Sequence, residues 1–499
     1  MTLHIKAALV ILTFHLLPGK INAQALPKTI VKKIDKLFET WDKTNSPGCV
    51  VGIVRNDSLI FSKGYGMANL EYKIPITTET IFYMCSVSKQ FTGYATVLLA
   101  RQGKINLDED IHVYLPWLAD FGKRITIRNL LNHTSGIRDD INLAAISGLG
   151  TNGMVTQQLA LNLLRRQRSL NFDPGERYSY SNSNFVLLSE IVKGVSGKSF
   201  RAFADSAIFK PLSMANTHFQ DDYAELIKNR AFSYQKIDSN HFANDFQNVY
   251  TLGDGGLFTN VEDMAKWITN FYNTSAGDSS DIHQLAEKGK LNNKKEINYA
   301  LGITVDNYKG KKVFSHGGAL AGYRTFTCIF PNLKMGFIVF SNVGDFNPLV
   351  KAFQVANFFL DPEKTGNAEA LQKKENSTTY SEGLFQSNGF SGNSQDEEPL
   401  SQKQVVDTNW SDKQLQAYTG IFYCSELDCR YSIALKDHKL FLTSNKYDDA
   451  KLDLVDANHL TNDFWWMGRL LIIRNSKKQI TGFEINTDRV MHLRFDKID

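Results

Sequence analysis

A serine and a lysine stand three residues apart at the start of an apolar segment. Ser86 and Lys89 belong to the run Met84-Cys85-Ser86-Val87-Ser88-Lys89, which the apolar residues of 91–99 follow. This pattern predicts a buried helix, and residues three apart on a helix share one face. A weak hydroxyl beside a basic amine held away from water is one form of activated nucleophile. A capping serine with a solvated lysine has the same spacing, so other segments must decide.

Two later segments carry further groups that an acyl-transfer site needs. Tyr180-Ser181-Asn182 follows a Pro174-Gly175 turn. A phenol beside a cationic lysine can shuttle a proton, and an amide can bind a substrate carbonyl and orient the lysine. His316-Gly317-Gly318-Ala319 ends a strand-like run, where glycines let a substrate approach the backbone closely. An N–H of this strand, with the N–H of Ser86, could form an oxyanion hole. Each segment alone is more often a turn or a loop.

Five motifs occur in a fixed order along the chain: Ser86-Val87-Ser88-Lys89, Asn132-His133-Thr134-Ser135-Gly136, Pro174-Gly175 with Tyr180-Ser181-Asn182, Gly255-Gly256-Leu257 and His316-Gly317-Gly318. In this order and at these separations they resemble the class C β-lactamase-related serine hydrolases. That family includes penicillin-binding DD-peptidases, D-aminopeptidases and β-lactamase-fold esterases. The resemblance covers about residues 29–360. It implies an α/β (α+β) fold, in which an antiparallel sheet flanked by helices lies beside an all-helical region, with the site in the cleft between them.

The resemblance also implies a role for each candidate site residue. Ser86 would be the acylated nucleophile, and Lys89 and Tyr180 would act as general base and acid. The His133 turn is interpreted as structural support. The substrate and oxyanion groups would be Asn182 as orienting amide, His316, Gly317 and Gly318 along the strand edge, and Ala319, whose N–H would join that of Ser86 in the oxyanion hole.

One position departs from the family pattern. β-Lactamases and DD-peptidases usually carry Lys-Thr-Gly on this strand, where the lysine attracts a substrate carboxylate. His316 stands in the place of that lysine here. An imidazole is mostly neutral at pH 7 and binds an anion less firmly. The departure weakens the case for penicillin hydrolysis and favours the D-aminopeptidase-like and esterase-like branches.

Hydrophobic periodicity and composition divide the chain into regions. Strand patterns near residues 49–61 and again between 300 and 342, with helices between them, predict one sheet built from its two ends within a hydrolase domain at 24–360. Residues 361–410 are rich in Ser, Gln, Asn, Glu and Lys and are predicted to be a linker. Short alternating segments in 411–499 predict an all-β barrel or sandwich. It resembles the lipocalin-like barrels appended to D-aminopeptidase-like members, in some of which a barrel loop reaches the active site and limits substrate size.

The N-terminal residues predict an exported protein. Lys6 ends a short basic start, Ala7 to Leu17 are apolar, and Ile21-Asn22-Ala23 offers a cleavage site, so residues 1–23 are expected to be a signal peptide. An uncleaved anchor is the alternative, but we expect a periplasmic or secreted protein without a stable membrane anchor after cleavage. The net charge of +4, from 56 basic and 52 acidic residues, is too balanced to predict a nucleic-acid partner. The expected partner is a small-molecule or peptide substrate, and the oligomeric state stays open.

Five cysteines are too few for a disulfide scaffold in a chain of this length. Cys424 and Cys429 flank Ser-Glu-Leu-Asp in a strand-like stretch and could form a disulfide across a hairpin in an oxidising compartment. Cys49, Cys85 and Cys328 are interpreted as small core residues. No Cys/His cluster has metal-ligand spacing, so no metal and no other cofactor is expected.

These observations predict a secreted serine hydrolase that works through a Ser86 acyl-enzyme. Its substrate would be a small ester, a D-amino acid amide or peptide, or a peptidoglycan-derived peptide. Two alternatives stay open: a catalytically silent protein of the same fold that binds peptidoglycan or a small ligand, and a β-lactam hydrolase. Replacing Ser86 with alanine separates enzyme from binding protein, because only the enzyme depends on the hydroxyl.

Overall fold

The computed structural model describes residues 26–150, 152–239, 241–360, 410–444, 449–462, 464 and 466–498. The predicted signal peptide at 1–23 lies outside the described residues, as does the predicted linker at 361–410 except for its last residue. Across the described ranges, no helix combines the length and the apolar character that crossing a bilayer requires.

A six-stranded antiparallel sheet forms the centre of the first domain. Its strands, in spatial order, are Thr304–Tyr308, Lys311–Leu320, Tyr323–Phe330, Met335–Ser341, Cys49–Arg55 and Ser58–Tyr65. The two ends of the domain meet where Cys49–Arg55 pairs with Met335–Ser341. The prediction of one sheet built from both ends is therefore confirmed.

Both faces of this sheet are covered by helices. Successive residues of a strand point to opposite faces. Val51 accordingly packs in one cluster with residues of the helices Lys28–Phe38 and Pro348–Leu360. Val50 packs on the other side, in a cluster with the helix Val261–Asn273. Burial on both faces explains why the strand Cys49–Arg55 is a continuous apolar run rather than an alternation of apolar and polar residues.

In chain order, the other elements of this domain lie between the two halves of the sheet, except for the 3₁₀ turn Pro331–Leu333, which lies within the second half. The α-helices are Lys89–Arg101, Ile127–Leu131, Asp140–Ala144, Gln157–Arg166, Asn182–Ser196, Phe200–Ala204, Val261–Asn273 and Ser279–Leu285. Single turns of 3₁₀-helix cover Cys85–Ser88, Ile111–Val113 and Pro331–Leu333, and π-helical turns cover Ala145–Leu149 and Asp205–Phe209. Short strands cover Met67–Asn69, Ile74–Pro75, Phe82–Tyr83, Val155–Thr156, His218–Phe219, Tyr234–Lys236, Phe242–Asn244, Val249–Tyr250 and Leu257–Thr259.

Two predicted strands differ from the structure. The apolar pattern of residues 300–305 predicts a strand there, but the strand begins only at Thr304, because the backbone turns at Gly302 with a φ of +101°. The alternating pattern also predicts a strand at 464–466, of which residue 465 lies outside the described residues. Phe464 and Trp466 are not part of a strand, and the Met467 amide donates to the Phe464 carbonyl at 3.0 Å. The strand of that region is His459–Thr461 instead.

The C-terminal region is a closed antiparallel β-barrel, so the barrel alternative is confirmed over the sandwich. Alternate residues such as Tyr431 and Ile433 are buried, while their neighbours are partly exposed, as a filled barrel requires. A helix at Asp412–Leu415 and a 3₁₀ turn at Gln416–Tyr418 precede the barrel. Its strands are Gly420–Cys424, Cys429–Lys436, Lys439–Thr443, Ala450–Asp456, His459–Thr461, Arg469–Arg474, Ile480–Asn486 and Leu493–Lys497.

The barrel packs against the helical region of the first domain through buried polar contacts. The fully buried Arg138 side chain donates to Glu426 Oε2 at 2.7 Å and to the Met491 carbonyl at 2.9 Å. The Tyr431 hydroxyl donates to the Ile146 carbonyl at 2.8 Å. Because buried charges are costly unless paired, the Arg138–Glu426 pair ties the two domains together in one arrangement.

Candidate active site

Ser86 lies in the 3₁₀ turn Cys85–Ser88, immediately before the helix Lys89–Arg101. The serine is partly exposed, whereas its neighbours in the turn are buried. Cys85 has a φ of +50°, a left-handed conformation that costs a residue with a side chain roughly 1–2 kcal/mol. Such strain persists only where surrounding contacts hold it, and it clusters at functional sites.

The strand Lys311–Leu320 holds this turn from one side. A Cβ atom on Gly318 would clash with the Met84 carbonyl oxygen and lie 2.9 Å from the Cys85 Cβ, so glycine is needed for the close approach. Thr325 on the next strand donates to the same Met84 carbonyl at 2.8 Å. As a result, the predicted oxyanion residues Ser86 and Ala319 line one cleft.

The Lys89 amine meets Ser86 as the three-residue spacing predicts. Its Nζ lies 3.1 Å from Ser86 Oγ, 2.9 Å from Asn182 Oδ1 and 2.8 Å from the Asp254 carbonyl oxygen. Burial lowers the pKa of Lys89 to about 8, against the opposing charges of Asp254 and Asp139. A neutral amine has two N–H donors and one lone pair. With both donors on the Asn182 and Asp254 oxygens, the lone pair faces the Ser86 hydroxyl.

Tyr180 is buried next to Lys89, and the centre of its ring lies 4.9 Å from the lysine Nζ. Burial raises the pKa of the Tyr180 phenol, and the nearby Ser86 hydroxyl and Arg489 guanidinium oppose this rise. The phenol therefore keeps its proton at neutral pH. In this arrangement the lysine can accept a proton and the tyrosine can donate one.

The Asn182 amide is oriented by Asp139, a residue that sequence reasoning missed. Both the backbone N–H and the side-chain Nδ2 of Asn182 donate to Asp139 Oδ2, at 2.7 and 2.9 Å. These bonds turn Oδ1 of Asn182 towards Lys89. Asp139 also caps the helix Asp140–Ala144 by accepting from the Asn142 amide at 3.1 Å. An acidic residue before a helix is an ordinary cap, so its sequence gave no sign of the contact with Asn182.

The turn at His133 holds the loop that carries Tyr180 in place. His133 has a φ of +58°, and its Nδ1 accepts the Ser181 amide at 3.2 Å. Its ring centre lies 4.2 Å from that of Tyr180, with the two rings tilted by 33°. The His133 carbonyl also accepts the Ser179 amide at 3.0 Å. The turn thus fixes where Tyr180 stands without contributing a side chain to the cleft lining.

His316 lies behind the strand edge rather than among the residues that line the cleft. Its Nε2 is 2.9 Å from the Tyr299 hydroxyl, and its Nδ1 is 2.6 Å from the Gly317 carbonyl. Burial, with a contribution from Lys89, lowers the pKa of His316 to about 3. The imidazole is therefore neutral, and it supplies no cation at this strand.

The cleft itself has a volume of about 710 Å³, and among the described barrel residues one, Arg489, lines it. Ser86, Tyr180, Asn182 and Ala319 line it together with Arg489, which follows the barrel strand Ile480–Asn486. The guanidinium carbon of Arg489 is 5.1 Å from the centre of the Tyr180 ring. Sequence reasoning missed this residue, since the resemblance pointed to a barrel loop but not to a particular side chain.

Among the described residues, no group of three or more His, Cys, Asp or Glu side chains is placed to hold a metal ion. Cys424 and Cys429 face each other as paired residues of neighbouring strands, and no disulfide joins them in the structure. The disulfide between them stays a prediction. Cys49, Cys85 and Cys328 are buried, as core residues should be.

The chain is 31% identical over 308 residues to the D-aminopeptidase of Brucella anthropi, an alignment that covers 61% of this chain and 56% of that protein. The chain thus spans about half the length of the curated relatives it matches.

Two solved structures share the fold. One is the octameric penicillin-binding protein homologue from Pyrococcus abyssi, with a TM-score of 0.60 at 21% identity over 94% of this chain and 100% of that one. The other is the D-amino acid amidase from Ochrobactrum anthropi SV3 complexed with L-phenylalanine amide, with a TM-score of 0.55 at 17% identity over 66% and 99%. The sequence model of the family described as Beta-lactamase matches residues 34–354, more than half of the chain. The chain therefore belongs to the β-lactamase family.

Proposed function

We propose that the protein is a serine hydrolase that cleaves amide bonds of small D-amino acid amides or peptides through an acyl-enzyme on Ser86. The contact between Lys89 and Ser86 carries this proposal. A buried amine with a pKa of about 8 lies 3.1 Å from the hydroxyl, and its neutral form can place its two N–H groups on the oxygens of Asn182 and Asp254 and turn its lone pair to the hydroxyl. This is the arrangement that activates a serine nucleophile.

Each proton in the proposed reaction has a donor and an acceptor. Lys89 takes the Ser86 proton as Oγ bonds to the substrate carbonyl carbon. The N–H groups of Ser86 and Ala319 stabilise the oxyanion of the tetrahedral intermediate. Tyr180 gives its proton to the leaving nitrogen as the C–N bond breaks, and the lysine ammonium restores it. Water then attacks the ester along the reverse path and frees Ser86.

The choice of substrate class is supported by the relatives and by His316. The curated relatives at 31% identity are named D-aminopeptidase. The buried, neutral His316 leaves the strand without a cation for a penicillin carboxylate, which disfavours β-lactam hydrolysis. A silent binding protein is disfavoured because every group of the reaction has a candidate in place. We further propose that the enzyme acts after export, on the signal-peptide pattern of residues 1–23.

The test compares the p-nitroanilides of D- and L-phenylalanine as substrates, with intact-mass spectrometry to detect an acyl adduct. We expect hydrolysis with a preference for the D form and no hydrolysis by Ser86→Ala. Ser88→Ala is the matched control, because Ser88 is a buried serine two residues away whose Oγ accepts the Leu257 amide at 3.2 Å. Retained hydrolysis in Ser86→Ala would overturn the mechanism. Absence of both hydrolysis and adduct in the unaltered protein would favour the binding protein.

A further inference from the structure

The strand Lys311–Leu320 gives the cleft two ends, one on each side of the proposed oxyanion hole. At one end, the Tyr299 hydroxyl lies 2.9 Å from Nε2 of His316, and the ring centre of Tyr299 lies 6.2 Å from that of Tyr180. Tyr180 is the proposed proton donor to the leaving nitrogen, so the leaving group lies towards this end. The acyl group, which stays on Ser86, therefore extends towards the opposite end of the strand.

Arg324 lies at that opposite end. It lines the cleft together with Leu320 and Ala321, where the chain turns into the next strand. It is also the cross-strand partner of Ala319, whose N–H is proposed to bind the oxyanion. Its Nη1 donates to the carbonyls of Ala321 and Tyr323, each at 2.7 Å, which holds the side chain at the turn. Because a strand advances about 3.3 Å per residue, this turn lies roughly 7 Å beyond Ala319.

The other N–H groups of the Arg324 guanidinium are open to the cleft. A guanidinium has five N–H groups in a planar fork, and the turn takes only the two of Nη1. Among the described residues, Nε and Nη2 of Arg324 have no hydrogen-bond partner, and neither atom is buried. Asp245 and Asp345 act on the charge of Arg324 from beyond ion-pair distance, and Asp345 is paired with Lys236 at 3.2 Å. The edge formed by Nε and Nη2 matches the two oxygens of a carboxylate.

We infer that Arg324 binds a carboxylate at the end of the side chain of the acyl group. The preferred substrates are then amides or peptides whose D-amino acid at the cleaved bond is acidic. D-Glutamate fits best, because its side chain and the hydrogen bond at its end together cover about 7 Å. This inference rests on the proposed function and narrows its substrate class. A charge-assisted bond of this kind corresponds to a preference of about 10-fold in kcat/KM over an uncharged side chain of the same shape.

The test uses the α-p-nitroanilides of D-glutamate and D-glutamine. They share one leaving group and differ only in a side-chain carboxylate against a carboxamide, so the ratio of their kcat/KM values isolates the carboxylate. We expect a ratio of about 10 in the unaltered protein. The ratio should fall to about 1 in Arg324→Gln and lie between these values in Arg324→Lys, which keeps the charge but not the fork. A merely structural role of Arg324 would lower both kcat/KM values and leave the ratio unchanged.

Two further variants keep the inference falsifiable. Arg489→Gln is the matched control, because Arg489 lines the same cleft but lies over Tyr180 at the leaving-group end. It should preserve the ratio, and an equal collapse in this variant would overturn the assignment to Arg324. Asp245→Asn removes a negative charge that acts on Arg324, so it should raise the ratio about threefold. This variant keeps Arg324 and tests the inference even if Arg324→Gln does not fold, and a ratio that does not rise would contradict it.

The same substrates separate this inference from the proposed function. A ratio near 1 in an unaltered protein that hydrolyses both p-nitroanilides would overturn this inference alone. Absence of hydrolysis of these two substrates and of D-phenylalanine p-nitroanilide would overturn the proposed function and this inference with it.

Discussion

The pH dependence of acylation tests the role of Lys89 directly. Burial lowers the pKa of Lys89 to about 8, so the amine is protonated below this pH and neutral above it. A general base needs the neutral form, and kcat/KM should therefore rise as the pH increases through about 8. For a single ionisation, activity at pH 6 should be roughly 100-fold below the plateau. The assay is D-phenylalanine p-nitroanilide hydrolysis from pH 5.5 to 10 at constant ionic strength.

A substitution at Asp254 gives the direction of this effect a second test. The negative charge of Asp254 raises the pKa of Lys89, so Asp254→Asn should move the acid limb to lower pH, by about one unit. The contact that Lys89 makes with Asp254 is to the backbone carbonyl, which the substitution retains. Asp245→Asn is the control, because Asp245 is a carboxylate of the same cleft that is absent from the charges acting on Lys89.

Two results would refute this reasoning. A flat profile between pH 6 and 9 would show that no group with a pKa near 8 controls acylation. An acid limb that moves to higher pH in Asp254→Asn would show that the titrating group is not a cation stabilised by that carboxylate. Circular dichroism at each pH checks that the protein stays folded across the range.

The other predictions concern the turn Cys85–Ser88, which carries Ser86, and the barrel. Gly318→Ala should slow acylation by about 100-fold in stopped-flow assays, because the added methyl group displaces the turn that carries the serine, and an unchanged rate would contradict this. Glu426→Gln leaves the buried Arg138 unpaired and should lower the free energy of unfolding in urea by about 3–5 kcal/mol, whereas a loss below about 1 kcal/mol would mean that water reaches the pair. If Cys424 and Cys429 pair, exported protein that is denatured without reductant should titrate three thiols of the five, and five would exclude the disulfide.

Contacts between residues close in sequence were predictable from the sequence. The Ser86–Lys89 contact follows from the three-residue spacing of a helix. The sheet that joins the two ends of the domain also followed from where strand patterns lie. In each case a local feature of the sequence, either a hydrophobic period or a residue spacing, is enough to predict the structure that forms.

Contacts that depend on how distant elements pack were not predictable in the same way. Asp139 has the sequence signature of a helix cap, and its bonds to Asn182 exist only because two separate helix starts meet. Arg489 enters the cleft only through the docking of the barrel. The imidazole of His316 was expected to be mostly neutral, but its burial and its contact with Tyr299 appear only in the folded domain.

The pairing of the strand Cys49–Arg55 with Met335–Ser341 has a consequence for how the protein folds during synthesis. The strand Cys49–Arg55 leaves the ribosome early, but the strand Met335–Ser341 is synthesised near the end of the first domain. At elongation rates of about 5–20 residues per second, the wait is roughly 15–60 s. Contacts of such high sequence separation form slowly. The central sheet, and with it the wall against which the turn Cys85–Ser88 rests, therefore closes late. About half of the chain is synthesised after Ser86 before the proposed oxyanion groups of Ser86 and Ala319 can come together.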